Sequence, residues 1–251
     1  MSARPPGRAR IVGLGRAGGS VAAALAAIGW EIAAPFGRGT PPEELAGAAD
    51  GVNLVVIGTP DATIAEVAAA IAPDRTGGAV ITHLSGSLGL EVLTLAGHER
   101  VAGLHPLVAM PSAEIGAQRL RDGAWFAVAG DPLVRELVDA WGGQWFEVAD
   151  DDRAMYHAAA CVASNHLVGL LGQVERLAAD AGVPFDAYLP LVEATLANVR
   201  VLGPARALTG PAARGDWPTI ERHRAALDRF DPRERAAYDA GVEQARRLVD
   251  L

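Results

Sequence analysis

Short apolar runs alternate with alanine-rich amphipathic stretches through the first part of this chain. The runs Ala9–Leu14, Glu31–Phe36, Asn53–Thr59, Ala79–Leu84, Val101–Leu104 and Trp125–Ala129 have the length and bounding turn residues of buried strands. Between them, Gly18–Ile28, Thr63–Ile71, Leu88–Leu95 and Pro132–Trp141 carry helical spacing, and Thr63 with Glu66 has the form of a capping box. Such alternation predicts a doubly wound parallel sheet with helices on both faces. After Asp150 the pattern lengthens, predicting helices over Asp152–Ala181, Phe185–Leu202, Thr219–Arg229 and Pro232–Val249. Asp231-Pro232, with Glu234 at the third position, is a helix-start signal for the last of these. The expected organisation is α/β: an N-terminal doubly wound domain over 1–149 and an all-α domain over 150–251.

The first predicted strand runs into RIVGLGRAGGS, Arg10–Ser20. Gly13 allows a tight turn out of the strand, Gly15 lets the backbone approach a pyrophosphate, and Gly18 permits close packing of the following helix. Gly13, Leu14, Gly15, Arg16, Ala17 and Gly18 are therefore candidate cofactor contacts, and the N-terminal domain reads as a Rossmann domain. A strand before the glycines and a helix after them give this weak motif its weight. An NAD site usually places an acid after the second strand, to bind the ribose hydroxyls. This chain has Gly37-Arg38-Gly39-Thr40 there, so Arg38 is a candidate for a 2′-phosphate. NADP(H) is favoured and NAD(H) stays possible; the alternative for Arg38 is an exposed loop residue. Thr59-Pro60-Asp61 and Ser85-Gly86-Ser87 follow the third and fourth strands, where ligands bind in this architecture. Thr59, Pro60, Ser85 and Gly86 join the cofactor candidates, although each also suits an ordinary turn or cap.

Composition narrows the chemistry. Half of the 251 residues are apolar, enough for a substantial core, and the net charge of −8 argues against general nucleic-acid binding. All 22 basic residues are arginine, which removes Schiff-base chemistry and any lysine general acid. Cys161 is the single cysteine, so no intrachain disulfide forms, which fits a reducing cytoplasm. The N-terminus SARPPGRAR lacks the apolar core of a signal peptide. No charge occurs between Arg153 and Glu175, yet His157, Ser164, Asn165, His166 and Gln173 make that stretch a buried core helix rather than a membrane span.

Among the histidines (83, 98, 105, 157, 166 and 223), His105-Pro106 ends the fifth strand, where nicotinamide and substrate should meet. Its imidazole is a candidate proton donor or acceptor, or else a structural group bonded to a loop carbonyl. His98, in Gly97-His98-Glu99-Arg100, reads as a solvated loop residue. His157, Cys161 and Asn165 are four apart and share a helix face. Burying His157 and Asn165 there requires hydrogen-bond partners, supplied by a substrate or by each other. Cys161 reads as a packing residue. Ser164, Thr209 and Arg214 are candidate substrate contacts, with Arg214 either holding a carboxylate or pairing with Asp216. No spacing has the form of a structural metal site.

The stretches VGLGRAGGS, IGTPD, HLSGS, LHPLVAM, YHAAACVASNHLVGLL and ALTGPAARGDWPTIERH, in that order, span nearly the whole chain. Together they resemble a bacterial family of Rossmann-like proteins with a C-terminal domain of unknown function numbered 2520. That family is similar to pyrroline-5-carboxylate reductase, 6-phosphogluconate dehydrogenase-like enzymes, prephenate dehydrogenase and an alternative type of ketopantoate reductase. The resemblance implies a C-terminal domain like that of 6-phosphogluconate dehydrogenase, often dimeric, and hydride transfer from a nicotinamide cofactor. The expected function is reduction by NADPH of a small carboxylate-bearing ketone or imine, with ketopantoate a candidate, in a cytoplasmic homodimer joined through the helical domain. In that reading His105 or His157 supplies the proton, Asn165 orients the carbonyl and Arg214 holds the carboxylate. Ketopantoate and β-hydroxyacid reductases use a helix-borne lysine with asparagines at four-residue steps; here only Asn165 matches. That departure supports a second reading, a non-catalytic NAD(P)-binding sensor or regulatory dimer.

Overall fold

The computed structural model describes residues 7–249, so the Ser2–Pro6 part of the N-terminus considered above lies outside the described residues. The chain forms two compact units, one up to Ser164 and one from Asn165.

The first unit is built on seven strands, in the order β2-β1-β3-β4-β5-β6-β7 among the described residues. They are β1 (Arg8–Val12), β2 (Glu31–Ile32), β3 (Leu54–Ile57), β4 (Val80–His83), β5 (Val101–Pro106), β6 (Trp125–Gly130) and β7 (Gln144–Glu147). Its helices are α1 (Arg16–Ala27), α2 (Pro42–Leu45), α3 (Asp61–Ala70), α4 (Glu91–Thr94), α5 (Ala113–Leu120), α6 (Leu133–Ala140) and α7 (Arg153–Cys161). Strand β3 is apolar and buried at every position because both faces of the sheet are covered. Leu54 and Val56 pack with Leu25 of α1, Leu120 of α5 and Leu137 of α6. The intervening Val55 and Ile57 pack with Ile64 and Ala68 of α3 and Leu93 of α4. Trp141 closes the first face, stacking on Phe126 with ring centroids 5.6 Å apart and donating from Nε1 to Ala24 O at 3.0 Å.

The doubly wound expectation holds for β1–β5, which are all parallel, while β6 runs antiparallel to β5. The connection leaves at Pro106, packs α5 against α1 and returns to the same edge, where Phe126 pairs with Pro106. Ser20 faces Gly116 across α1 and α5 so closely that a Cβ at 116 would lie 2.0 Å from its Oγ. Pro35, which has no N–H, interrupts the second strand after Ile32; Phe36 rejoins the sheet only through a bridge to Val12. The Thr63–Glu66 capping box does not form. Helix α3 starts earlier, at Asp61, and Thr63 Oγ1 donates to Pro60 O at 2.9 Å. His98 is buried rather than solvated, its Nε2 2.9 Å from Ala68 O at the end of α3.

The second unit holds α8 (Leu167–Asp180), α9 (Leu189–Leu202), α10 (Pro204–Ala207), α11 (Pro211–Arg214), α12 (Trp217–Phe230) and α13 (Pro232–Val249). Buried Glu234 ties α13 to α8, accepting from Arg176 Nε at 2.5 Å and Nη2 at 3.1 Å, and from Gln173 Nε2 at 3.1 Å. The stretch expected as one buried core helix is instead α7, a π-turn over Val162–His166 and α8. Val162, Val168 and Leu170 on it are more than half exposed within the single chain. Helix α9 buries no residue, although it carries Leu191, Leu196 and Val201. No described helix is long and apolar enough to cross a membrane.

Candidate active site

Parallel register places Val12, Ile57, His83 and Gly103 level with one another on β1, β3, β4 and β5. The residues just beyond that line are the glycine turn, Gly58-Thr59, Leu84-Ser85-Gly86 and His105, gathered at one edge of the sheet. This is the carboxyl edge, where open α/β sheets bind ligands.

The glycine turn has the geometry its sequence predicts. Gly13 has φ 97°, and a Cβ at Gly18 would lie 2.0 Å from Gly13 O, so neither position accepts a side chain without rearrangement. A Cβ at Gly58 would be 3.0 Å from both Gly13 O and Gly18 Cα, so this glycine, not singled out from the sequence, completes the contact. Gly15 has nothing within 4 Å of its Cβ position. As N-cap of α1 it leaves an open approach to the first-turn amides, and no acidic side chain opposes an anion there. Phe36 O accepts from Gly13 N at 2.8 Å, bringing the end of the second strand beside the turn. Two residues on, Arg38 is exposed in a tight turn closed by Gly37 N donating to Thr40 Oγ1 at 3.0 Å. The Thr59 hydroxyl is buried without a partner beside Gly13. A cradle that a Cβ would fill, free helix amides, an exposed arginine and an unused hydroxyl fit an NADP-type dinucleotide.

Beyond the cradle, Asp61 organises the turn after β4. Its Oδ2 accepts from Ser85 Oγ at 2.6 Å and from Ser87 Oγ at 2.7 Å. Ser85 Oγ in turn accepts from the amides of Ser87 and Leu88, both at 3.1 Å. The Ser85 hydroxyl is thereby fully engaged, and the turn offers a ligand the Gly86 backbone instead. A Cβ at Gly86 would meet His157 Cδ2 at 2.8 Å and His105 Cε1 and Nε2 at 2.9 Å. Gly86 thus lies against both imidazoles that the sequence singled out.

His105 and Pro106 end β5, as expected, and His105 pairs with Ala127. Its Nδ1 is 2.6 Å from the Tyr156 hydroxyl, and its ring meets that of His157 edge-on with centroids 5.8 Å apart. Burial pushes His105 down to about 4, helped by the His157 ring and by Arg153. Burial likewise raises the Tyr156 phenol to about 12, against the pull of Arg153. At neutral pH the pair is an uncharged imidazole bonded to an intact phenol. Burial also lowers His83, whose Nε2 is 3.2 Å from Gly89 O, a structural contact. Tyr156 was passed over in the sequence because nothing local marks its hydroxyl as the partner of a residue on β5. Its position immediately before His157 was the available signal.

The remaining candidates fall at the end of the first unit and in the second. Ser164 ends the first unit inside the π-turn and is exposed. Asn165, Thr209 and Arg214 belong to the second unit and are exposed as well. Because a π-turn closes over five residues rather than four, Asn165 does not continue the helix face of His157 and Cys161 at α-helical pitch. Asp216 caps α12, accepting from Thr219 N at 3.2 Å and Thr219 Oγ1 at 2.8 Å. Those two hydrogen bonds from Thr219 are what chiefly hold the Asp216 carboxyl low; Arg214 adds only a minor pull and forms no ion pair with it among the described residues. Among the described residues no cluster of metal-ligating side chains occurs.

Residues 127–245 match the family model of the Domain of unknown function (DUF2520), in line with the motifs quoted above. No curated protein matches the sequence. Solved structures share the fold. A Bacteroides fragilis protein provisionally named an NADP oxidoreductase is 19% identical over 96% of this chain and 98% of its own, with a TM-score of 0.79. A reductive aminase from Aspergillus terreus, in complex with NADPH and ethyl levulinate, is 18% identical over 96% and 94%, with a TM-score of 0.68. Pyrroline carboxylate reductase from Plasmodium falciparum, with NADP bound, is 13% identical over 96% and 98%, with a TM-score of 0.61.

Proposed function

We propose that this chain is an NADP(H)-dependent oxidoreductase that reduces a small carboxylate-bearing ketone or imine. The observation that carries the reading is the uncharged His105 bonded to the Tyr156 phenol beside Gly86, at the same sheet edge as the glycine cradle. Solved structures of like fold with NADP or NADPH bound support the cofactor.

In this mechanism the turn Gly13–Gly18 and the first amides of α1 would hold the pyrophosphate, and Arg38 would hold the 2′-phosphate. Thr59, Pro60 and the Gly86 backbone would complete the cofactor site. Bound NADPH supplies the hydride. Tyr156 supplies the proton at Oη, while His105 Nδ1 fixes the direction of that hydroxyl and His157 flanks it. Asn165 orients the substrate carbonyl, with Ser164 and Thr209 as further contacts and Arg214 as the carboxylate partner. We assign the protein to the cytoplasm as a homodimer, covering the exposed apolar residues of α8 and α9 with a second copy.

The test is NADPH oxidation by purified protein against 2-oxo acids and cyclic imines, led by ketopantoate. Turnover with at least one compound is expected, and Tyr156→Phe should lower kcat by about 10²- to 10⁴-fold with NADPH affinity unchanged. Full activity in that variant removes Tyr156 as the donor. Tight NADPH binding without turnover of any compound moves the protein to the sensor reading.

A further inference from the structure

Arg153 opens α7 and is 1% exposed, yet only its Nε is paired, 2.9 Å from Asp150 Oδ1. Nη1 and Nη2 are buried without a partner. A guanidinium with two donor nitrogens unsatisfied in the interior is costly, and such arrangements persist where the charge is used. Asp150 is half exposed at 52% and reaches only Nε, so the inner side of the cation is not neutralised by it. That inner side faces the site. Arg153, Tyr156 and His157 stand at i, i+3 and i+4 on one helix, hence on one face. Toward the sheet, Nη2 of Arg153 and Cε1 of His83 each lie 3.6 Å from the point where a side chain at Gly103 would begin. Gly103 is two residues before His105 on β5. The charge therefore sits under the imidazole–phenol pair, in space that β5 leaves open.

We propose that Arg153 is a positioning residue for the proton relay, its inner charge left unpaired so that it favours a neutral His105 and a phenolate on Tyr156. This rests on the proposed function only for its use in turnover. During reduction the carbon gains a C–H bond with the hydride pair, and the C=O or C=N π pair moves to the heteroatom. The heteroatom then takes the Tyr156 proton. The O–H pair stays on the phenol oxygen, which His105 Nδ1–H and Arg153 stabilise until water returns a proton. His105 is also faced by His157 on α7, by His83 on β4 and by Asp61 at the start of α3. Of these only Asp61 favours the imidazolium, so Arg153 and the two other imidazoles together oppose it.

Histidine NMR titration of the full-length, unliganded protein decides the matter without reference to catalysis. In Arg153→Gln and Arg153→Met the His105 midpoint should rise by about one unit or more, a tenfold change in its proton affinity. Arg153→Lys should stay near the wild type. Unmoved midpoints in both neutral variants overturn the proposal. Should neither fold, Arg153→citrulline, a neutral isostere of the same shape, decides: a risen His105 midpoint supports the proposal, and an unmoved one overturns it. Absence of turnover with the expected titrations counts against the proposed function alone.

Discussion

Gly18 shows how little freedom a single position has in this site. A methyl group there would lie 2.0 Å from Gly13 O, against backbone rather than a flexible side chain. Gly18→Ala is expected to weaken NADPH binding by about tenfold or more and to destabilise the fold by about 1–3 kcal/mol, measured by fluorescence titration and urea unfolding. At His105 the consequence is a pH dependence. Its ordinary value of 6.5 falls to about 4 in the folded chain, so between those values the unfolded chain binds a proton that the folded chain does not. Stability from this group is fully present above 6.5 and is lost as pH falls toward 4, by about 3 kcal/mol. Unfolding at pH 7 and pH 4 should show that extra loss in the wild type and not in His105→Gln; equal losses would contradict the burial argument. The glycine turn was legible in the sequence because its constraints are local to a few residues. The Tyr156–His105 bond was not, because its members are joined only when α7 is laid against β5. Gly58 escaped for the same reason: what excludes a side chain there belongs to another strand.

Elements were legible where periodicity and length agreed. The strands whose apolar runs are buried on both faces fell near their expected places, and α13 begins at Pro232 as its Asp231-Pro232 start predicts. Strand β7 was missed because Gln144-Trp145-Phe146-Glu147 is a mostly exposed edge segment with no apolar run. Helix α5 carries a signal that went unread, Ser112, whose Oγ accepts from Ile115 N at 3.2 Å. The π-turn leaves no periodic trace at all. The turn after β4 owes its shape to a residue on a different element, Asp61 at the start of α3. Ser85→Ala and Asp61→Asn should therefore be non-additive, with a coupling of about 1 kcal/mol in a double-mutant cycle. Additive effects would mean that Gly86 is positioned without that clamp.

For the molecule as a whole, the apolar side chains left uncovered are concentrated on helices. With Leu196 and Val201 exposed on α9, sedimentation should report a dimer, and Leu196→Glu with Val201→Glu should shift it to monomer while leaving the first unit folded. A monomeric wild type would require another explanation for those residues. The two borders of the sheet bear on the same question. On one side β2 has two residues before Pro35 breaks the ladder; on the other β7 has four, with Arg135 over the Trp145 ring at 5.4 Å. Borders this short offer a poor template to an incoming extended chain. Fibrillar or strand-swapped growth is thereby discouraged at the level of backbone geometry, and self-recognition is left to side-chain chemistry on helices, where it can be specific and can end at a closed number of copies.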